Sequence, residues 1–530
     1  MSNKFMHGAP LLLGDNTIPG VQLSKELKEY IPKILQACRD WGLDFYPTVV
    51  QLLTYDEISE IAAYGGFPVR YPHWSFGMEY EELQRGYSVG AHKIYEMVVN
   101  TNPCYIYNLS SNTLVDHLTV VAHATGHNDF FKNNVHFSAT DTNMMNKMAN
   151  HGTRIRKYMA RWGKEKVTEF IDWVMRIQTL IDGSEAWTEK KIKDKTIIDK
   201  REYRYPRRFS IDSDRLYMDP FLNTTDFKER ENKRVERKDL EDEIGIFKEP
   251  TKNIIGFLRD NAPLKPWQAD IVSMLYEEAL YFFPQRQTKV MNEGWASLTD
   301  SVIMAEQGFI GLGQKSHDHG IVEYAAHKMG VLGGKYSTNP YKLGFYLFQN
   351  IRERWDKGQF GTEWEECNDI RKKENWNTDA KLGKEKIFEV RKYYDDLTFL
   401  HEFFTEEFCR EQEYFHWKKY PNGEYRIETK DFRKIKKMLM QRHLNGGLPD
   451  IRLTEPNYRG KGIFMLEHFC DGRDLYHPYI ADVLTAIRAI WGNDVFLSTK
   501  QKGAKEIVYR CYGTDSEKDV EIVTRNEHLT

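Results

Sequence analysis

Two histidines four residues apart, His123 and His127, lie in residues 114–134, LVDHLTVVAHATGHNDFFKNN. In a helix that spacing puts both imidazoles on one face, one turn apart, where they can hold one metal ion. It is the geometry of the HExxH helix of zinc hydrolases without its glutamate. Ala124 stands there, so a general base has to come from elsewhere. The alternative is a hydrogen-bonded pair of core histidines. Gly126 is costly inside a helix and would let another backbone come close. Asp116, seven residues before His123 on a similar face, is a candidate to orient an imidazole. Asn128, Asp129, Asn133 and Asn134 follow the pair and suggest a polar pocket floor, although Asn133 and Asn134 also suit a helix cap.

A third ligand is needed, and Glu293 in residues 289–300, KVMNEGWASLTD, is the candidate. In gluzincin peptidases a downstream helix supplies a glutamate to zinc, and Asn292, Glu293 and Asp300 make a loose version of that pattern. The small residues Gly294 and Ala296 would allow a neighbouring helix in close. A buried ion pair of Glu293 with Arg286 or Lys289 is the competing explanation. A His-His-Glu set on Zn²⁺ leaves one position for water. Asp129 and Glu323 are the candidate bases and His319 a candidate acid. His319, Glu323 and His327 share a helical face at i, i+4 and i+8, with His317 just before them. They suggest a second metal site or the missing acid and base, or else a solvated helix start.

Positioning such side chains takes packed helices. Helical spacing runs through residues 23–41, 55–63, 80–86, 113–131 and 153–181. Short strands are expected at 95–99 and 104–109, and an ordered loop at 67–77. Further helices are expected at 251–259, from Pro266 to an end at Pro284, and at 288–304, 341–356, 384–400 and 401–415. After residue 420 an α-β-β-α-β-β order suggests a small α+β domain. The expected fold is therefore predominantly α-helical, with a zincin-like helical core and a smaller C-terminal α+β domain. Four stretches are expected: a helical part (1–185) carrying the histidine helix, a charged linker or insertion (186–250), a helical part (251–420) completing the site, and the α+β domain (421–530).

The chain of 530 residues carries 75 basic and 78 acidic side chains, a net charge of −3. That excludes a globally basic nucleic-acid coat. The run KREYRYPRRF at 200–209 could touch an anionic polymer, but a surface loop explains it as well. Residues 228–243 carry 13 charges of both signs, as a solvated helix or linker does. Six scattered cysteines with no CxxC pair fit a reducing compartment. No run of about 18 apolar residues exists, so no membrane span is expected. The apolar run at residues 9–13 is too short for a signal-peptide core. A cytoplasmic location is expected.

Several long motifs carry a resemblance: YPHWSFG at 71–77, NTNPCYIYNL at 100–109, AHATGHNDFFKNN at 122–134, KDLEDEIGIF at 238–247, FFPQRQTKVMNEGWAS at 282–297 and NPYKLGF at 339–345. Through them the chain resembles the SpoVR family (stage V sporulation protein R, with its YcgB-like members) over roughly residues 20–510. The resemblance implies a role in sporulation and spore cortex formation or in stress response. It also implies partners, a PrkA-type serine protein kinase and a von Willebrand-type protein. Two functions stand side by side. One is a zinc-dependent hydrolase of amide bonds acting on a peptide or cell-wall precursor. The other is a non-catalytic regulator or scaffold working with the kinase.

Overall fold

Ser24 opens the first helix, α1 (Lys25–Trp41), by accepting the Leu27 N–H on its hydroxyl. The computed structural model describes residues 12–13, 22–88, 96–184, 250–311, 317–334, 338–500, 506–512 and 519–524. The charged segment expected at 186–250 lies, up to residue 249, outside the described residues, as does the basic run at 200–209. The chain's contacts group it into two compact units, residues 1–168 with 280–448 and residues 169–279 with 449–530.

In the first unit a four-stranded sheet runs in the order β1 (Leu12–Leu13), β2 (Thr48–Leu53), β4 (Cys104–Leu109), β3 (Glu96–Val99). β2 is parallel to both neighbours, and β3 pairs antiparallel with β4, Glu96 opposite Asn108. The segment TVVQLL is buried at all six positions, the pattern of a strand covered on both faces. The helical reading of this region has no strand there, because an unbroken apolar run lacks the alternation that marks one.

Around the sheet lie α2 (Tyr55–Ala63), α3 (Trp74–Ser88) and α4 (Leu114–Asn133). α3 begins inside the stretch expected to be a loop. The single helix expected at 153–181 is two, α5 (Met144–Trp162) and α6 (Lys164–Ile177). Gly163 at φ 94° separates them, a conformation that costs glycine nothing. α7 (Ile254–Asn261) is followed by α8 (Pro266–Gln287), which contains Pro284 instead of ending there.

α9 (Lys289–Ser301), α10 (His317–Val331) and α11 (Pro340–Asp356) complete the surroundings of α4. Then come α12 (Gly383–Tyr393) and α13 (Asp396–Phe403), divided at Asp395, whose side chain caps α13. A hairpin, β5 (His416–Lys419) and β6 (Tyr425–Thr429), precedes α14 (Phe432–His443). The second unit holds a five-stranded sheet built from β7 (Ile451–Tyr458), β8 (Ile463–His468), β9 (Val495–Lys500), β10 (Glu506–Tyr512) and β11 (Asp519–Thr524), in the order β11-β10-β9-β8-β7. β8 and β9 are parallel, connected through α15 (His477–Trp491); the other pairs are antiparallel. The fold is mostly helical with a C-terminal α+β region.

Contact between α4, α9 and α11 is unusually close. A methyl placed on Gly126 would stand 2.8 Å from the Ala296 Cα, and one on Gly294 would stand 2.4 Å from the Gly344 carbonyl carbon. Trp295, fully buried, stacks on Trp41 with ring centroids 5.7 Å apart. The close approach brings side chains on facing surfaces of α4 and α9 to one point.

Candidate metal centre

α4 starts with a capping box, Thr113 and Asp116 each accepting the other's backbone N–H. From there its register turns His123 and His127 toward α9. Glu293 meets them: its Oε2 lies 3.3 Å from His127 Nε2 and 3.8 Å from His123 Nε2. A fourth donor comes from the sheet. Glu96, at the start of β3, places Oε1 3.4 Å from His123 Nε2. One donor atom from each of Glu96, His123 and His127 lies within 4.8 Å of the others.

The far sides of both rings are tethered. His123 Nδ1 lies 2.9 Å from Asp300 Oδ2, and His127 Nδ1 lies 2.8 Å from Asn292 Oδ1. Such bonds fix the tautomer and leave each Nε2 free to bind a metal. Asp300 is itself held by Lys328 Nζ at 2.8 Å and the Tyr324 hydroxyl at 3.0 Å. Lys289 donates to Glu293 Oε1, and the Tyr341 ring stacks on His123.

These groups fit a divalent cation. Glu96 Oε2 and Glu293 Oε2 are buried with no hydrogen-bond partner, which is costly for carboxylates unless a cation takes them up. Two donors about 2.1 Å from one ion stand about 3.4 Å apart at a tetrahedral angle, close to the separations here. The electrostatics agree. Burial pushes the Glu96 carboxyl up, although the two histidines pull against it. Burial disfavours the His123 imidazolium, but Glu96, the bond to Asp300 and the nearby Glu293 carboxylate outweigh that and raise it to about 10. Burial raises Glu293 too, yet Lys289 and the histidines hold it well below the usual carboxylate range. The cluster attracts positive charge.

Other residues nominated from the sequence are engaged elsewhere. Asp129 points away from the pair: it accepts the Asp44 N–H at 2.8 Å and the Trp295 Nε1–H at 2.9 Å, and lies 3.5 Å from Arg391. Burial raises its carboxyl to about 6 against the pull of Arg391. Its contacts are those of a buried structural acid and not of a base at the histidines. Asn128 bonds both backbone groups of Tyr46, Asn133 donates to the Asp44 and Asp129 carbonyls, and Asn134 donates to the carbonyls of Arg391 and Tyr394. These amides tie α4 to its neighbours and do not form a pocket floor. Asp116 turns to His327 Nδ1, 3.0 Å away, and not to His123. His319 Nε2 lies 3.3 Å from Glu323 Oε1 at the outer side of α10, and neither is among the clustered donors. The His317 side chain lies outside the described residues.

Glu96 is the residue the sequence reading missed. It sits 27 positions before His123, and only its charge at the head of an otherwise apolar strand, EMVV, set it apart.

No helix among the described residues is long and apolar enough to cross a membrane. No solved structure matches the chain. It is 27% identical to the uncharacterized protein YcgB of Escherichia coli (strain K12) over 524 residues, covering 92% of this chain and 94% of that one. A family model described as "SpoVR like protein" matches residues 22–448, a span that holds every donor of the cluster; the chain belongs to the SpoVR family.

Proposed function

We propose that the protein is a metal-dependent hydrolase of amide bonds, with zinc the first ion to test. One observation carries the reading. Two tethered imidazoles and two carboxylates converge, and each carboxylate has a buried oxygen with no hydrogen-bond partner. His123, His127 and Glu293 would hold the ion. When bound, it supplies a Lewis acid for the scissile carbonyl and an acidified water.

Glu96 takes the part that the missing HExxH glutamate would play. Its carboxyl is raised by burial, which suits a group that accepts a proton from the attacking water and returns it to the leaving amine. Asp300 and Asn292 keep the two rings aimed. A peptide or cell-wall precursor is the substrate class, and spore cortex formation or stress response is the setting that family membership suggests.

Four protein donors around one ion also describe a closed structural site, which needs no open position. That count favours a second reading, a regulator working with a PrkA-type kinase and a von Willebrand-type partner. One experiment separates them. Chelator-free protein is assayed for metal by mass spectrometry and for turnover on peptides and cell-wall precursors. The hydrolase reading expects about one equivalent of metal, lost in His123→Ala/His127→Ala and in Glu293→Ala. It expects Glu96→Gln to keep the metal and lose turnover. Loss of metal in Glu96→Gln, with no turnover in the parent, would leave the regulator. Absence of metal from the parent even after reconstitution would end both metal readings.

A further inference from the structure

The motif at 71–77 takes no part in the metal centre, yet it lines a cavity. Residues along α2, in the segment leading into α3, in the first turns of α3 and at the start of α6 line an open pocket of about 650 Å³. That is the size of a small-molecule site. Its walls are rich in aromatic rings, among them Tyr64, Tyr71, Trp74 and Phe76. Trp74 is 56% exposed, a large apolar surface to leave in water. Phe76 meets Tyr64 nearly edge-on, with centroids 5.7 Å apart. The Arg70 guanidinium lies 4.6 Å from the centre of the Phe76 ring and 5.5 Å from that of Tyr71, so two of these rings already serve a cation of the chain itself and Tyr64 and Trp74 remain for a ligand.

The charges at the cavity are unequal. Asp56, Glu57 and Glu60 line it against Lys164 and His73. Asp56 receives a hydrogen bond from Gln84 at 3.0 Å, and Glu57 accepts the Thr54 N–H in the cap of α2. Neither contact brings a positive charge. The Tyr80 hydroxyl is pushed up by lost hydration and then by Asp56, as a negative field requires. An anion would meet three carboxylates there, and a neutral ligand would gain nothing from them.

We infer that this cavity binds an organic cation, an ammonium group that sits among the rings and faces Asp56, Glu57 and Glu60. Electron-rich ring faces and carboxylates attract the same charge, and together they select a soft, weakly hydrated cation over a metal ion.

Isothermal titration of the full chain tests this with choline and with 3,3-dimethylbutan-1-ol, which has nearly the same shape and no charge. Choline should bind saturably, and the alcohol at least tenfold more weakly. Trp74→Ala and Glu60→Gln should each weaken choline about tenfold. Both positions are exposed, so the fold should persist, and Trp74→Phe should restore most of the affinity. Metal content should not change in any of these variants. A peptide carrying trimethyllysine, titrated alongside, shows whether the amine is held better free or on a chain; either preference upholds the cation. Equal affinity for choline and the alcohol would overturn the inference. So would no saturable binding of either ammonium probe, or a Trp74→Ala variant that binds as the parent does.

Discussion

Gly126→Ala sets two effects of opposite sign against each other. Alanine is the better helix former, by about 1 kcal/mol. At this position, however, its methyl would lie 2.8 Å from Ala296 Cα, 2.8 Å from Thr299 Oγ1 and 3.0 Å from Thr299 Cβ. Carbon contacts prefer about 3.5–4.0 Å, so α4 and α9 must part by about 1 Å. The Thr299 side chain could rotate, but the Ala296 Cα is backbone and cannot swing aside. Overpacking of this kind costs about 1–3 kcal/mol. Net destabilisation of up to about 2 kcal/mol is expected in urea unfolding of the metal-free protein. The larger effect falls on the centre. The gap of 3.3 Å between His127 and Glu293 spans the same two helices, and a shift of about 1 Å takes a ligand out of bonding range. Metal affinity should drop by at least tenfold in competition with a chelator. Gly330→Ala in α10 is the matched control, because a methyl there meets nothing within 4 Å; it should raise stability slightly and leave metal binding alone. A Gly126→Ala protein as stable as the Gly330→Ala protein, with parental metal affinity, would refute the role given to this contact.

Four further outcomes follow from named contacts. Asp396 accepts the N–H groups of both Val290 and Met291 at 2.8 Å, capping α9 from another helix where Thr288 makes no side-chain cap; Asp396→Ala should cost about 2–4 kcal/mol in unfolding. Burial raises the Asp396 carboxyl despite His443, so the folded chain holds that proton more tightly than the unfolded one; the parent's stability relative to Asp396→Asn should therefore fall as pH rises from about 4 through the raised pKa, and a rise would contradict the assignment. Asp129→Asn strips the partner from Arg391 in the core and should cost about 3 kcal/mol while leaving about one metal per chain, measured by unfolding and mass spectrometry. Asp300→Ala frees the His123 ring and should weaken metal binding about 10–100-fold in chelator competition, with His123 still present.

Much of the frame could be read in residue order. The strands at 96–99 and 104–109 and the helices at 55–63 and 114–133 carry their signals locally, in β-branched runs and in the capping residues Thr54 and Thr113. Strand β2 could not be read that way, since a segment buried on both faces has no alternation to betray it. The divided helix at Gly163 and the proline retained inside α8 show the limit of glycine and proline as punctuation. At the site, His123, His127 and Glu293 were nominated by spacing and by an acid in an apolar helix, and the structure brings the three together. Polar residues next to the pair in sequence were misread, because neighbours along a helix point to different faces. Asp129 is two residues from His127, about 200° around the axis, and belongs to the Trp295 and Arg391 side.

On the hydrolase proposal, Ala124 does not leave the centre without a base. In an HExxH helix the glutamate follows the first histidine directly, and the helix itself must present it to the water. Position 124 lies about 200° around α4 from Gly126, away from the contact with α9, and is packed among other core side chains. A long acidic side chain at position 124, which is fully buried, would have to displace core. The acid instead arrives from β3, whose antiparallel pairing with β4 sets Glu96 opposite Asn108 and in reach of His123. A strand can deliver a carboxylate to the open side of the histidine pair without thickening the helix contact. Moving the acid back should therefore fail: Glu96→Gln combined with Ala124→Glu should neither regain turnover nor keep parental stability, losing about 2 kcal/mol or more to overpacking. Recovery of turnover in that double variant would show that position 124 faces the ion and can supply the base in place of Glu96, against the packing argument.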